Sequence, residues 1–199
     1  MALSKQAKTL SSKQVDLVLN YLSSTRNSIR DQLIFLLSIK SGLRAKEISS
    51  LTWSMVLDSD GEVSDYINIT NNASKGNSGG RSIPINKQLK IKLLEFLDYQ
   101  KVQSLFDVNG YVINTQRSQS TSPQSIVNMF SRWYNELNLI GCSSHTGRRT
   151  FITNCSRKIS TVGGSLRDIQ YLAGHSSLQT TQRYIEGNTQ SKIKVVELI

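Results

Sequence analysis

The chain has 199 residues, enough for one domain with its own apolar core. Its N-terminus, MALSKQAKTLSSKQ, lacks the apolar centre of a secretory signal, and no apolar run approaches the length of a membrane span. Lysine and arginine number 24 against 14 acidic residues, a net charge of +10. That balance points to a polyanionic partner, because each phosphate a protein neutralises releases condensed counterions. The two cysteines exclude a disulfide framework and fit a reducing, intracellular setting.

Residues 10–22 carry Leu10, Val15, Val18, Leu19 and Leu22 at helical spacing after a serine start signal. Residues 28–40 are more apolar and predict a buried helix, broken by Ser41-Gly42. A further helix starts near Leu43. Asp60-Gly61 marks a hairpin turn. YINIT (66–70) and RSIPI (81–85) alternate like strands around NNASKGNSGG, which is turn chemistry throughout. Together they predict a small antiparallel sheet with a glycine-rich connection. Asn86 is placed to cap a helix over 87–103. GYVIN (110–114) reads as a short strand or an extended stretch, and 115–125 as a loop. Pro123 opens the next helix, which stops before Gly141. Helices over 146–158, 166–173 and 177–186 follow. The tail KIKVVELI alternates, as a strand or a partner-docking segment would. The fold class expected is α+β, mainly helical, with no internal repeat and no second domain.

Several charges fall where a core is expected. In SSHTGRRTFITNCSRKI, the stripe Phe151, Ile152, Cys155 and Ile159 extends backward to Arg148 and then to His145. A buried guanidinium needs an anion, either an internal carboxylate or a bound phosphate. In SGLRAKEISSL, Arg44 shares a helical face with Glu47, which is spaced to hold the guanidinium. Arginine has five donors, so that pair leaves capacity for a ligand. Lys75 sits in the turn between the two expected strands. It is either a solvated loop residue or a cation delivered by the hairpin. Gly174 ends the 166–173 helix and leaves His175 at the junction. Leu178, Thr181 and Ile185 anchor the last helix, with Tyr184 at the margin of their stripe.

These segments together resemble the tyrosine recombinase (phage integrase) family. The matching features are Gly42-Leu43-Arg44 with Glu47, the hairpin Lys75, H-x-x-R from His145 to Arg148, L-x-G-H from Leu172 to His175, and Tyr184 nine residues on. The resemblance implies a catalytic domain of that fold, spanning 1–199. Residues 1–27 form its helical lead-in, and 188–199 form a tail exchanged between protomers. It implies a site-specific recombinase that attacks double-stranded DNA with Tyr184, forming a 3′-phosphotyrosine and freeing a 5′-hydroxyl. Phenol ionises near pH 10, about three units above neutrality, so the site must activate it. Arg44 and Arg148 would hold the non-bridging oxygens. His145 would assist proton transfer at the tyrosine, His175 would bond the scissile phosphate, and Lys75 would protonate the leaving oxygen. Glu47 would support Arg44. Lys46, Arg81, Arg149 and Arg183 are further cations expected against DNA.

The resemblance implies no cofactor, metal or ATP, because protein cations meet the transition-state charge and the ester keeps the bond energy. It also implies assembly into a dimer or tetramer on DNA. Two rivals are a type IB topoisomerase-like nicking-closing enzyme and a catalytically inactive DNA-binding regulator. The chain departs from the family at Gly147 and Arg149, where a leucine and a histidine are usual. Gly147 is expected to loosen local packing. The family's usual N-terminal helical domain has no counterpart before Arg44, so a minimal enzyme and a catalytic fragment both remain open.

Overall fold

The structure is a computed structural model that describes residues 7–71, 73, 80–114, 118–184 and 196–197. Lys75, Ile185 and all of the tail but Val196 and Glu197 lie outside them. The first helix, α1 (Ser12–Ser23), opens on a reciprocal cap. The Ser11 hydroxyl accepts from the Gln14 N–H at 3.3 Å, and the Gln14 side chain accepts from the Ser11 N–H at 2.9 Å. Val18 and Leu22 fasten α1 to α2 (Ser28–Ser41). Residues 33–37 of α2 are apolar and all buried, so this helix is enclosed on every side rather than amphipathic. Gly42 ends it at φ +66°.

The short α3 (Ala45–Ser49) follows at once. Asp58 then organises the Asp60-Gly61 turn, its carboxylate accepting from the N–H groups of Asp60 and Glu62. Strands β1 (Tyr66–Ile69) and β2 (Arg81–Pro84) pair antiparallel, with Ile67 opposite Ile83 and Ile69 opposite Arg81. The buried face of this ribbon carries Ile67, Ile69, Ile83 and Arg81. One of its four inward positions is therefore a guanidinium.

Helix α4 (Lys87–Val102) is capped by Asn86, and α5 (Pro123–Glu136) by Ser122 with Pro123 in its first turn. Residues 110–114 form no strand but a bent stretch with an isolated antiparallel bridge from Tyr111 to Thr52. Their anchor is Gln100, which accepts from the Trp53 indole at 2.7 Å and donates to the Val112 carbonyl at 3.1 Å. Helix α6 (Thr146–Lys158) packs along α2, and α7 (Leu166–Ala173) and α8 (Leu178–Gln182) pack on each other. Ile152, Ile169 and Ala173 form a second, smaller core against which Phe151, Cys155 and Tyr184 lie.

Gly147 overturns an expectation. A methyl group there would collide with the Ser38 side chain, so its absence brings α6 close against α2 and tightens the packing. Gly42 does the same from the other side, since a Cβ would lie 2.5 Å from the Phe151 ring. The last helix is also shorter than 177–186: α8 stops at Gln182, and Tyr184 follows in a turn, its N–H donating to the Thr181 carbonyl at 3.0 Å.

Candidate active site

The site is built on the end of one helix. The carbonyls of the last residues of α7 have no partners within the helix and carry its negative dipole end. Three arginines from three other elements meet three successive residues there. Arg81 Nε donates to the Leu172 carbonyl at 3.1 Å. Arg148 Nη2 donates to the Ala173 carbonyl at 2.6 Å. Arg44 Nη2 donates to the Gly174 carbonyl at 3.4 Å, the weakest of the three. Gly174 takes φ +59°, and a Cβ on it would lie 2.8 Å from Arg81 Nη1. It thus serves twice, turning the chain and leaving room for a guanidinium.

Arg148 also donates through Nη1 to the Gly42 carbonyl at 2.7 Å. It therefore ties the turn before Arg44 to the turn before His175, although its own side chain is 4% exposed as a residue. Burial, and then the Arg44 charge, push its pKa down to about 10, which leaves it a cation at neutral pH. One anion answers these charges. Glu47, fully buried, accepts from Arg81 Nη1 at 2.7 Å and from Arg44 Nη1 at 3.2 Å through one oxygen. Its other oxygen accepts the Arg44 backbone N–H at 2.8 Å, at the start of α3. Burial alone would raise its pKa, but the hydrogen bond and charge of Arg81, with Arg44 behind them, hold it below the ordinary carboxylate value.

The other wall holds the rings. His175 stacks on Tyr184, with ring centroids 5.4 Å apart and planes 24° apart. The Arg149 guanidinium lies 5.9 Å from the Tyr184 centroid. His175 Nδ1 is hydrogen-bonded to the buried Thr181 hydroxyl at 2.9 Å. Burial first, and then the charges of Arg148, Arg44 and Arg81, push the imidazole pKa down to about 4, so it is neutral near pH 7. A cavity of about 380 Å³ opens where Arg148 meets Arg149 and Tyr184, lined also by His145, Thr180 and Arg183 among others.

A model of the phage integrase family matches residues 8–191. The chain belongs to the phage integrase family. Among relatives, it is 29% identical over 187 residues to tyrosine recombinase XerA of Pyrococcus horikoshii, covering 88% of this chain and 59% of that protein. A crystal structure of XerA recombinase shares the fold at a TM-score of 0.74 and 22% identity, covering 96% of this chain and 64% of that one. A structure of the XerH site-specific recombinase bound to palindromic difH substrate gives a TM-score of 0.71 at 18% identity, covering 94% and 51%. The chain thus spans well under two thirds of the curated relative's length.

Within this integrase-family fold, Arg44, Arg148, His175 and Tyr184 gather around the end of α7. His145 lines the same cavity but does not continue the inward stripe of Arg148. Helix α6 begins one residue later, so His145 is its N-cap, and its side chain is exposed. Lys75 lies outside the described residues. Lys46 and Arg183 are exposed, as DNA-facing cations are expected to be, and Arg149 is half-buried beside Tyr184. Arg81 is a correction. It is 7% exposed, and its donors face Glu47 and Leu172 rather than the surface. The signal was present in RSIPI, because period-two alternation puts Arg81 on the same face as Ile83. Thr181, read as an anchor, has a second role as the His175 partner, which no spacing reveals.

Proposed function

We propose that this chain is the catalytic portion of a site-specific recombinase that cuts and rejoins double-stranded DNA through a 3′-phosphotyrosine. One observation carries the reading. Three guanidinium groups converge on the end of α7 against one buried carboxylate, and Tyr184 lines the same cavity as Arg148. A buried excess of positive charge is costly until an anion enters. A phosphodiester supplies that anion beside a phenol. The family relative XerH, bound to its difH substrate, is consistent with that partner.

In this reading the Tyr184 oxygen attacks phosphorus, the bond to the 5′-oxygen breaks, and a phosphotyrosine and a free 5′-hydroxyl result. Arg44 and Arg148 hold the non-bridging oxygens and stabilise charge that grows in the transition state. A Thr181 hydroxyl that donates to Nδ1 would leave the proton of the neutral His175 ring on Nε2, a donor for a phosphate oxygen. His145 takes part in proton transfer at the tyrosine, and Lys75 delivers the proton to the leaving oxygen. Glu47 positions Arg44. Lys46, Arg149 and Arg183 add cations along the duplex. The reaction runs without metal or ATP, because the cations are the protein's own and the new ester preserves the bond energy. Pairs or tetramers of the chain on DNA bring two strands together for exchange.

The test is a library of randomised duplexes incubated with the protein and resolved on a denaturing gel. Wild type should form covalent adducts, also in excess EDTA, and sequencing the trapped DNA gives the site. Tyr184→Phe should bind the same duplexes and form none. Adducts that survive Tyr184→Phe would sink the assignment of the nucleophile, and loss of all adducts in EDTA would sink metal independence.

A further inference from the structure

Arg81 stands apart from the residues that line the cavity. It occupies an inward register position of β2, opposite Ile69, where an apolar side chain is the ordinary choice. It is almost fully buried, yet it spends its donors on two particular acceptors: the Glu47 carboxylate at 2.7 Å and the Leu172 carbonyl at 3.1 Å. Its Nη2 is buried with no hydrogen-bond partner among the described residues. An arginine kept there against both desolvation and an unmet donor has a task that packing does not supply.

The geometry identifies the task. Arg44 reaches the end of α7 directly through only one bond, to the Gly174 carbonyl at 3.4 Å, too long to fix an orientation. The alternative path runs from the Arg44 backbone N–H and guanidinium to Glu47, from Glu47 to Arg81, and from Arg81 to Leu172, mostly through shorter contacts. Leu172 lies three residues before His175. The guanidinium fork can meet a carboxylate and a carbonyl at once, in fixed directions, and a lysine ammonium cannot reproduce that fork. Gly174 leaves the space that lets the fork lie against the turn.

We infer that Arg81 is a positioning residue, which sets the Arg44 guanidinium and the His175-bearing turn in one frame without touching DNA. This rests on the recombinase reading. It predicts that Arg81 acts through the charge recognition of the phosphate, and that dependence separates it from a residue needed only for folding.

The experiment uses the full chain and a duplex recovered from the library, made with either a phosphodiester or a methylphosphonate at the scissile position. The methylphosphonate replaces a charged oxygen by methyl, so an aligned Arg44 cation matters less. On the phosphodiester, single-turnover adduct formation by Arg81→Met and Arg81→Lys should fall by roughly 100-fold, the scale of a small misplacement of catalytic groups. On the methylphosphonate the loss should shrink to less than about tenfold, because less of the rate depends on that alignment. Arg81→Lys keeps the charge, and its thermal unfolding reports whether the fold is intact if Arg81→Met does not fold. Equal losses on both linkages, or a wild-type rate for Arg81→Lys, would overturn the inference. If wild type forms no adduct with any duplex, the recombinase reading fails, and this inference falls with it.

Discussion

The two walls of the site are held by different forces. On one side, Arg44, Arg81, Arg148 and Glu47 are locked by ion pairs and backbone carbonyls, and three of the four are buried. On the other, Tyr184 is half-buried and is kept in place by a stacked imidazole, an overlying guanidinium and one backbone hydrogen bond. Charged contacts in a buried setting are rigid and costly to disturb, whereas exposed ring contacts are worth about 0.5–1 kcal/mol each. The difference suits the chemistry proposed. A phosphate must be gripped in a fixed place, while a nucleophile that cuts, stays attached and later reverses must move a little at low cost.

Glu47 holds the charged wall together. Glu47→Gln leaves Arg44, Arg81 and Arg148 without their buried anion and should cost about 3–5 kcal/mol in urea unfolding. Added phosphate or sulfate should restore part of that loss by occupying the site, a recovery that wild type shows less strongly. A cost below about 0.5 kcal/mol, the size of an ordinary surface change, would mean that the wall is not locked by charge. Gly147→Ala tests the frame behind it. The added methyl meets Ser38 in a closed interface between α2 and α6, and overpacking of that kind costs about 1–3 kcal/mol. Arg149→Gln tests the other wall. It should cost much less stability than Glu47→Gln while slowing adduct formation several-fold, because it loosens the tyrosine and removes one cation facing the duplex. A stability loss as large as that of Glu47→Gln would erase the distinction.

The same division marks what could be read in the sequence. The helices were legible because their apolar spacing is regular and their ends carry Ser11, Asn86, Pro123 and Gly174 at capping or stopping positions. The motif residues Arg44, Arg148, His175 and Tyr184 lie at or near the ends of elements, where short-range signals are strong. What escaped was set by contacts distant in the chain. Gly147 reads as a weak point until Ser38, more than a hundred residues earlier, is seen against it. Arg81 reads as one more basic residue until Glu47 and Leu172 are brought to it from either side of the chain. Extending the helical stripe backward from Arg148 assigns His145 to the inward face, but α6 begins at Thr146 and His145 is its exposed N-cap. The spacing of Leu178, Thr181 and Ile185 predicts a helix through Tyr184, but α8 stops at Gln182 and Tyr184 sits in a turn.

His175 stands where the walls meet, and its titration tests how strongly they are coupled. Its ring is hydrogen-bonded to Thr181, stacks on Tyr184, and faces the charges of Arg44 before α3, Arg81 on β2 and Arg148 on α6. Those charges and burial hold its pKa near 4 in the folded protein, against 6.5 for the free side chain. Between these values the unfolded chain binds the proton and the folded one does not, so stability rises with pH across this window and is lost as pH falls through it. Thermal unfolding of wild type should therefore drop between pH 6.5 and 5. His175→Gln should flatten that stretch, since glutamine keeps a polar partner for Thr181 but cannot take up the proton. A bound phosphodiester adds an anion beside the ring, favours imidazolium and should reduce the slope in wild type as well. If the slope is the same in wild type, in His175→Gln and in the DNA complex, the imidazole does not feel the arginine cluster, and the two walls act independently.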